Sequence, residues 1–208
     1  MGIAISQPVE GTNNKDSALG VAAVAEITQF TLVQLQSLQA IWHPSGSGEG
    51  GDLVSREADL SCNEFEEALD SVQFAASDRA IFDRLFVLLD RTGDERIIAI
   101  QFLIAASLLL RGSLEVKLQG AFQFAQDAES SSDEGISPEG LRFALSTLAA
   151  MAGYFGDPYV TLDDVNQVVQ DALCASESCR YDDLVKVVAD HPLMQQYAYG
   201  IPETNNDA

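Results

Sequence analysis

The sequence predicts an all-α protein built as two lobes of paired helix-loop-helix units. Apolar residues recur every three or four positions in four separate stretches, which is the spacing of a helix face. Each stretch is followed by a polar break rich in Gly, Ser or Asp and then by a second helical stretch. Strand-like alternation is not sustained anywhere in the sequence. Four similar units in one chain indicate two paired lobes.

The four apolar stripes mark the buried faces of the first helix in each unit. They are Leu32, Leu35 and Leu38; Phe82, Leu85, Phe86 and Leu89; Leu114, Leu118, Ala121 and Phe122; and Val165, Val168, Val169 and Ala172. The second helices are expected to begin near Glu64, Gln101, Gly140 and Asp183.

Isolated apolar residues in the loops predict short paired strands between neighbouring units. Leu60 is expected to lie opposite Ile97, and Ile136 opposite the region near Cys179. The most apolar run, residues 97–110, spans 14 residues and is too short to cross a bilayer. A buried helix is therefore predicted there.

The predicted domains follow from these repeats and from the composition of the two ends. Residues 26–111 form the first lobe and residues 112–198 the second. Residues 1–25 mix Gly, Asn, Ser and Ala without periodicity, so we expect a flexible N-terminal arm. Residues 199–208 are expected to form a polar C-terminal tail.

Composition excludes several classes of function. The chain has 208 residues, of which 47% are hydrophobic, and this is ample for a packed core. Its net charge of -21 repels nucleic acid and anionic lipid, which favours a basic or amphipathic protein partner. Three cysteines form no paired framework, which favours a reducing, cytoplasmic compartment. No nucleophile, base and orienting group occur at suggestive spacing, so no enzyme activity is expected.

Residues 82–118 read as a helix, a short polar loop and a second helix, and they resemble an EF-hand of the calcineurin B, neuronal calcium sensor and calaxin group. The most specific piece is residues 108–124, "LLLRGSLEVKLQGAFQF", which resembles the inter-lobe linker and the following helix of that group. The tail "ADHPLMQQYAYG" is similar to the segment after the last helix in calcineurin B-like proteins. The resemblance spans about residues 28–198 and implies a two-lobed fold.

The second loop is the best candidate calcium site, although its ligands are altered. An EF-hand loop uses side-chain oxygens at positions one, three, five and twelve, a backbone carbonyl at seven and a glycine at six. With Ile97 at position eight, the ligand positions fall on Asp90, Thr92, Asp94, Arg96 and Gln101. Gln101 offers one neutral oxygen where a bidentate acid is needed. Glu95 occupies the glycine position, where a left-handed conformation costs about 1–2 kcal/mol. The site is predicted to be weak or vestigial, so no cofactor is expected beyond weakly bound calcium.

The other three loops depart further from the calcium-binding pattern. The first has Leu53 at the first position, although Glu64 occupies the twelfth. The third is too long and has Gly140 at the twelfth position, so its acids either gather a cation loosely or form a solvated acidic loop. The fourth begins with Ala172 and has Cys174 third, and calcium avoids sulfur ligands.

The N-terminal sequence "MGIAIS" meets the minimal myristoylation pattern, with Gly2 as the candidate modified residue. One acyl chain gives only marginal membrane attachment, so membrane contact is expected only if Gly2 is acylated. His43 and His191 each precede a proline near a predicted helix boundary, where a capping or packing role is expected.

The leading functional prediction is a non-enzymatic adaptor or regulatory or structural subunit that grips an amphipathic helix of a larger partner without needing calcium. The resemblance to calaxin implies an axonemal or dynein-docking assembly in the cilium. The alternative function is a myristoylated calcium sensor acting at a membrane. For the fold, the alternative is an all-helical repeat without calcium-binding ancestry. Five aromatic residues are expected to divide between the lobe cores and a groove that holds the partner helix or residues 192–201. They are Phe82, Phe86, Phe102, Phe122 and Phe143.

Overall fold

The computed structural model describes residues 20–42, 59–129, 135–157, 159–176 and 180–199. These ranges contain ten helices and one two-stranded sheet. The helices are α1 (Gly20–Ile27), α2 (Leu32–Trp42), α3 (Cys62–Val72), α4 (Ala76–Leu89), α5 (Ala99–Ser107), α6 (Leu114–Ala128), α7 (Pro138–Tyr154), α8 (Leu162–Ala175), α9 (Tyr181–Ala189) and α10 (Pro192–Tyr199). The strands are β1 (Leu60–Ser61) and β2 (Arg96–Ile97).

The predicted all-helical class is confirmed, and the helices α2 to α9 follow one another as four consecutive pairs. The boundary predicted for the N-terminal arm needs correction. Gly20 to Ile27 is helical, and Val21 and Ala25 are buried, so the arm cannot extend to residue 25. Apolar residues at positions 21, 24 and 25 give this short segment a buried face. Residues 1–19 and 200–208 lie outside the described ranges.

Several helix starts are set by local capping residues. Ser61 accepts a hydrogen bond from the Glu64 backbone N–H, and the Glu64 carboxylate accepts from the Ser61 backbone N–H at 3.0 Å, which completes a capping box. Thr161 and Asp164 form the same arrangement at the start of α8. Such caps satisfy backbone donors that a helix cannot satisfy internally.

The predicted pairing of Leu60 with Ile97 is confirmed. β1 and β2 are antiparallel, and these two buried residues lie directly opposite each other. Backbone bonds from Asp59 to Ile97 and from Cys62 to Glu95, both 3.0 Å, extend the ladder at its two ends. The segment near Cys179 lies outside the described residues, so the pairing expected for Ile136 stays a prediction.

Helix α5 is buried on nearly every side, as the apolar run predicted. Its neighbours are α2, α4, α6 and α7. Phe102 of α5 lies at the centre of an aromatic cluster, with ring centroids 5.0 Å from Phe65, 5.5 Å from Phe82 and 5.7 Å from Trp42. Tilted and edge-on ring pairs at these separations stabilise a core beyond their buried area.

The buried apolar side chains of the described residues form one contiguous core that extends from Val21 to Ala189. Because α5 packs against both α6 and α7, the two halves of the chain share this core. The division predicted at residues 111 and 112 stays a prediction. Among the described residues, no helix combines the length and the apolar character needed to cross a bilayer.

Candidate functional site

The loop between α4 and β2 folds around the carboxylate of Asp90. Its two oxygens accept hydrogen bonds from the backbone N–H groups of Gly93 at 2.8 Å and Glu95 at 3.1 Å. The Thr92 hydroxyl donates to the Asp94 carboxylate at 2.6 Å. This bond is the main reason that the pKa of Asp94 lies below its ordinary value. Both carboxylates are therefore already bonded within the loop.

Glu95 adopts the left-handed conformation expected for the sixth position, with φ of 60°. This agreement supports the register chosen for the loop, because a non-glycine residue rarely takes a positive φ without a structural requirement. Thr92, Asp94 and Arg96 are exposed, and Gln101 is half-buried at the start of α5. Among the residues that the structure describes, no three His, Cys, Asp or Glu side chains form a group suited to a metal ion.

Restoring the two altered positions of this loop should raise its calcium affinity. Gln101→Glu supplies the missing bidentate carboxylate, and Glu95→Gly removes the conformational cost at the turn. Titration calorimetry should show tighter binding for the double variant than for the wild type. Gln101→Glu alone is the control that separates the ligand from the turn. No gain in the double variant would mean that the register is wrong.

The start of α7 is capped in a way that the sequence did not predict, because the acid comes from the preceding loop and not from the helix. Ser137 caps α7, but the third helical residue is Gly140, so the helix cannot complete a capping box by itself. Glu129, eight residues before Ser137, supplies the acid instead. Its carboxylate accepts from the Ser137 backbone N–H at 2.8 Å and from the Ser137 hydroxyl at 2.5 Å. A Cβ atom at Gly140 would overlap this carboxylate.

The geometry closely matches the box at α3, where the Glu64 carboxylate accepts from the Ser61 backbone at 3.0 Å and hydroxyl at 2.6 Å. In α3 the acid comes from the helix itself, whereas in α7 it comes from the preceding loop. The one sequence signal was a serine cap followed by glycine at the position that usually carries the acid.

A double-mutant cycle should detect that Glu129 replaces the missing helix acid in the cap of α7. Glu129→Ala is expected to lower the free energy of unfolding by about 1 kcal/mol, because it removes a cap partner. Gly140→Glu alone should also destabilise, since its side chain meets the Glu129 carboxylate. Combining the two changes should restore most of the loss, because the carboxylate introduced on α7 then completes the box, with a coupling energy of about 1 kcal/mol in urea unfolding.

Glu139→Ala is the matched control for this cycle, because Glu139 is an exposed acid in the same helical turn. It retains the effect of removing a charge near the helix N-terminus but leaves the cap intact. If the losses of unfolding free energy for Glu129→Ala and Gly140→Glu are strictly additive, Glu129 does not replace the helix acid in this cap.

An apolar cavity of about 250 Å³ is lined mainly by residues of the second half of the chain. Its walls come from α1, α6, α7, α8, α10 and the α5–α6 and α7–α8 connections. The larger apolar lining residues include Leu114, Leu118, Leu145, Leu148, Val165 and Val168. Lys117, Asp157 and Asp164 contribute charged groups. Tyr159 and Leu162, which are close in sequence to the lining residue Val160, are 80% and 60% exposed.

Lys117 joins the cavity wall to the end of α5. Its buried ammonium group donates to the Leu108 carbonyl at 2.9 Å and also to the Leu110 carbonyl. Burial lowers the pKa of Lys117 to about 8, and the nearby Glu26 opposes this shift. The intervening Leu109 carbonyl accepts from the Thr28 hydroxyl at 2.7 Å. Three successive carbonyls after α5 are thus bonded by side chains.

The cavity does not involve the five aromatic residues that were expected to divide between the lobe cores and a groove. Four of the five lie in the buried core, and Phe143 is half-buried against it. None of the five lines the cavity. The apolar stripes of α6 and α8 correctly indicated buried helix faces, but a sequence pattern does not show where facing helices leave space between them.

The C-terminal segment contacts the cavity. Met194 of α10 lines it, so the C-terminal segment forms part of the cavity wall. The prediction that residues 192–201 occupy a groove stays a prediction. His191 caps α10, since its Nδ1 accepts from the Leu193 backbone N–H at 3.2 Å and its Nε2 lies 3.1 Å from the Asp171 carboxylate. The capping role expected for His191 is therefore confirmed. Gly2 and His43 lie outside the described residues.

The Asp90 loop and the apolar cavity differ in what they can bind. The Asp90 loop offers two carboxylates that are already hydrogen-bonded, whereas the cavity offers an apolar wall with a few charged groups. A cavity of about 250 Å³ is smaller than the roughly 300–1,000 Å³ typical of sites for drug-sized ligands, so it suits a few apolar side chains.

In comparisons with known proteins, no family model matches this chain, and neither a curated protein nor a solved structure matches it.

Proposed function

We propose that this protein is a non-catalytic adaptor or structural subunit that holds an amphipathic helix of a larger partner in the apolar cavity. The proposal depends mainly on the cavity, because its lining is mostly apolar. The exposed apolar residues Tyr159 and Leu162 also lie close in sequence to the lining residue Val160. An amphipathic helix presents anchor side chains at positions three, four and seven apart, which fit such a space.

The charge of the chain supports a basic partner. The net charge is -21, and the cavity lining includes the carboxylates of Asp157 and Asp164. A helix with lysine or arginine beside its apolar anchors would meet opposite charge, which accelerates association and excludes acidic competitors.

We further propose that the four helix pairs form two EF-hand-like lobes over residues 26–111 and 112–198. The left-handed Glu95 and the pairing of Leu60 with Ile97 support this organisation. Because the loop ligands are incomplete, calcium supplies no differential free energy with which to open or close a lobe. We propose that the protein acts in the cytoplasm in a lasting assembly, with an axonemal or dynein-docking complex suggested by the resemblance of residues 108–124.

Partner binding is expected to be independent of calcium. The probe is a synthetic basic amphipathic peptide of leucine and lysine, about 15–20 residues long so that it can form a stable helix. Calorimetry should give equal affinities in excess chelator and in millimolar calcium. Binding that requires calcium would instead support a calcium sensor.

A matched pair of variants on α7 locates the binding site. Ala149 lines the cavity, whereas its half-buried neighbour Ala150 does not. Ala149→Leu should fill space needed by one anchor side chain and weaken peptide binding roughly 10- to 100-fold. Ala150→Leu should leave the affinity close to that of the wild type. Equal effects of the two changes would place the binding site elsewhere.

A further inference from the structure

Helix α1 forms part of the cavity wall although it is distant in sequence from most of the other wall elements. Val21 and Ala22 line the cavity, and Val21 is 7% exposed. The other walls come mainly from residues after 107. An eight-residue helix is too short to be stable by itself in water, so α1 depends on its attachments for its structure.

The N-terminal end of α1 is attached to the connection between α7 and α8. The Val21 backbone N–H lies 3.4 Å from each carboxylate oxygen of Asp157, and a carboxylate stabilises the positive end of a helix. Gly20 packs directly against the Phe155 carbonyl, and a Cβ atom at this position would overlap that carbonyl. This close approach requires glycine.

The C-terminal end of α1 is attached to the connection between α5 and α6. The hydroxyl of Thr28, just after α1, donates to the Leu109 carbonyl at 2.7 Å, and the Arg111 guanidinium donates to the Glu26 carbonyl at 2.6 Å. Both connections also contribute residues to the cavity lining, including Leu108 and Val160. Helix α1 therefore bridges two parts of the cavity wall and is held at both ends by a small number of bonds.

The aromatic cluster around Phe102 contains no residue of α1. Detachment of α1 would therefore remove one wall of the cavity while leaving this part of the core packed. Segments held by few contacts are the ones that open locally without global unfolding.

We propose that α1 is a strap that closes one wall of the apolar cavity and that a bound helix takes its place. This inference rests on the proposed function, because it concerns regulation of the same site. Binding and release of α1 are then linked. The apparent dissociation constant of the partner equals its intrinsic value divided by the fraction of molecules in which α1 is detached.

Gly20→Ala is the variant that tests the strap, and Gly153→Ala is its matched control. The added methyl group meets the Phe155 carbonyl in the first variant, whereas nothing lies within 4 Å of the Cβ position at Gly153. In Gly20→Ala, hydrogen exchange of the α1 amides should be about tenfold faster. Affinity for the leucine-lysine peptide should rise by the same factor, because both quantities follow the detached fraction. Gly153→Ala should match the wild type in both measurements.

Thr28→Val provides a second release at the other end of α1, since it removes the hydroxyl bonds to the Leu109 and Ala25 carbonyls with little change in shape. As with Gly20→Ala, hydrogen exchange of the α1 amides should become faster and affinity for the peptide should rise by the same factor. Unchanged exchange in both release variants would overturn the strap. Where the wild type binds the peptide, faster exchange without tighter binding would also overturn it, because α1 would then not compete with the peptide.

Nile red, a neutral apolar dye, separates failure of the strap from failure of the proposed function. Its fluorescence should be higher with Gly20→Ala than with Gly153→Ala if detachment of α1 exposes the apolar wall. If no variant binds the peptide but the dye signal rises together with exchange of α1, the strap is supported and the helix-binding function is wrong. If the peptide binds the wild type with the same affinity as both release variants, the strap is wrong and the function stands.

Discussion

Replacing Phe102 with alanine is expected to lower the free energy of unfolding by about 3–5 kcal/mol, the usual cost of removing a fully buried aromatic side chain. Phe102 is 0% exposed and contacts the rings of Phe65, Phe82 and Trp42. Because these residues lie on α2, α3, α4 and α5, the cavity left behind would loosen four helices at once. Urea unfolding followed by circular dichroism measures the change.

Val87→Ala is the control for this measurement. Val87 lies on α4 and is 72% exposed, so its truncation should change stability by less than about 0.5 kcal/mol. A small loss of stability for Phe102→Ala, together with weaker binding of the amphipathic peptide, would mean that Phe102 lines a binding groove instead of the core.

The contribution of Lys117 to stability is expected to change by about 3 kcal/mol between pH 8 and pH 10.5. Burial lowers its pKa from 10.5 in the unfolded chain to about 8 in the fold. Between these values the unfolded state binds more protons than the folded state, so stability rises with pH by about 1.4 kcal/mol per pH unit. Below pH 8 both states are protonated and the effect levels off.

The difference in unfolding free energy between the wild type and Lys117→Met isolates this effect. It should shift in favour of the wild type as pH rises from about 8 to 10.5, because titration of all other groups cancels in the subtraction. Gln119→Met, an exposed and uncharged position on the same helix, should show a constant difference. A constant difference for Lys117→Met as well would mean that the Leu108 and Leu110 carbonyls stabilise the ammonium enough to offset its burial.

Lys117 and Arg111 together hold the segment that follows α5. Lys117 lies six residues after Arg111. In the structure its ammonium bonds two carbonyls at the end of α5, while Arg111 bonds a carbonyl of α1. Both residues therefore fix the connection between α5 and α6.

The sequence alone predicted that α2 to α9 are helical and which faces of α2, α4, α6 and α8 are buried, whereas it assigned most of α1 to the N-terminal arm. Apolar residues at helical spacing in α4, α6 and α8 predicted their buried sides, and the run at residues 97–110 predicted a buried helix. It also determined the register of the second loop, because the position of Ile97 places Leu60 opposite it and Glu95 in the left-handed turn. The helix faces and the turn at Glu95 depend on neighbours within about a dozen residues, which a linear pattern records. The pairing of Leu60 with Ile97 followed instead from the isolated apolar residue in each of two neighbouring loops.

The tertiary structure alone decided the cavity, the strap and the cap of α7. Each depends on groups that the chain brings together from a distance: Val21 with Asp157, Thr28 with Leu109, and Glu129 with Gly140. The importance of the glycine at residue 20 is not visible in the sequence, because it comes from the Phe155 carbonyl that occupies the space beside it. Hydrophobic patterning specifies that a face is buried, whereas the space left between buried faces is set by the relative positions of whole helices.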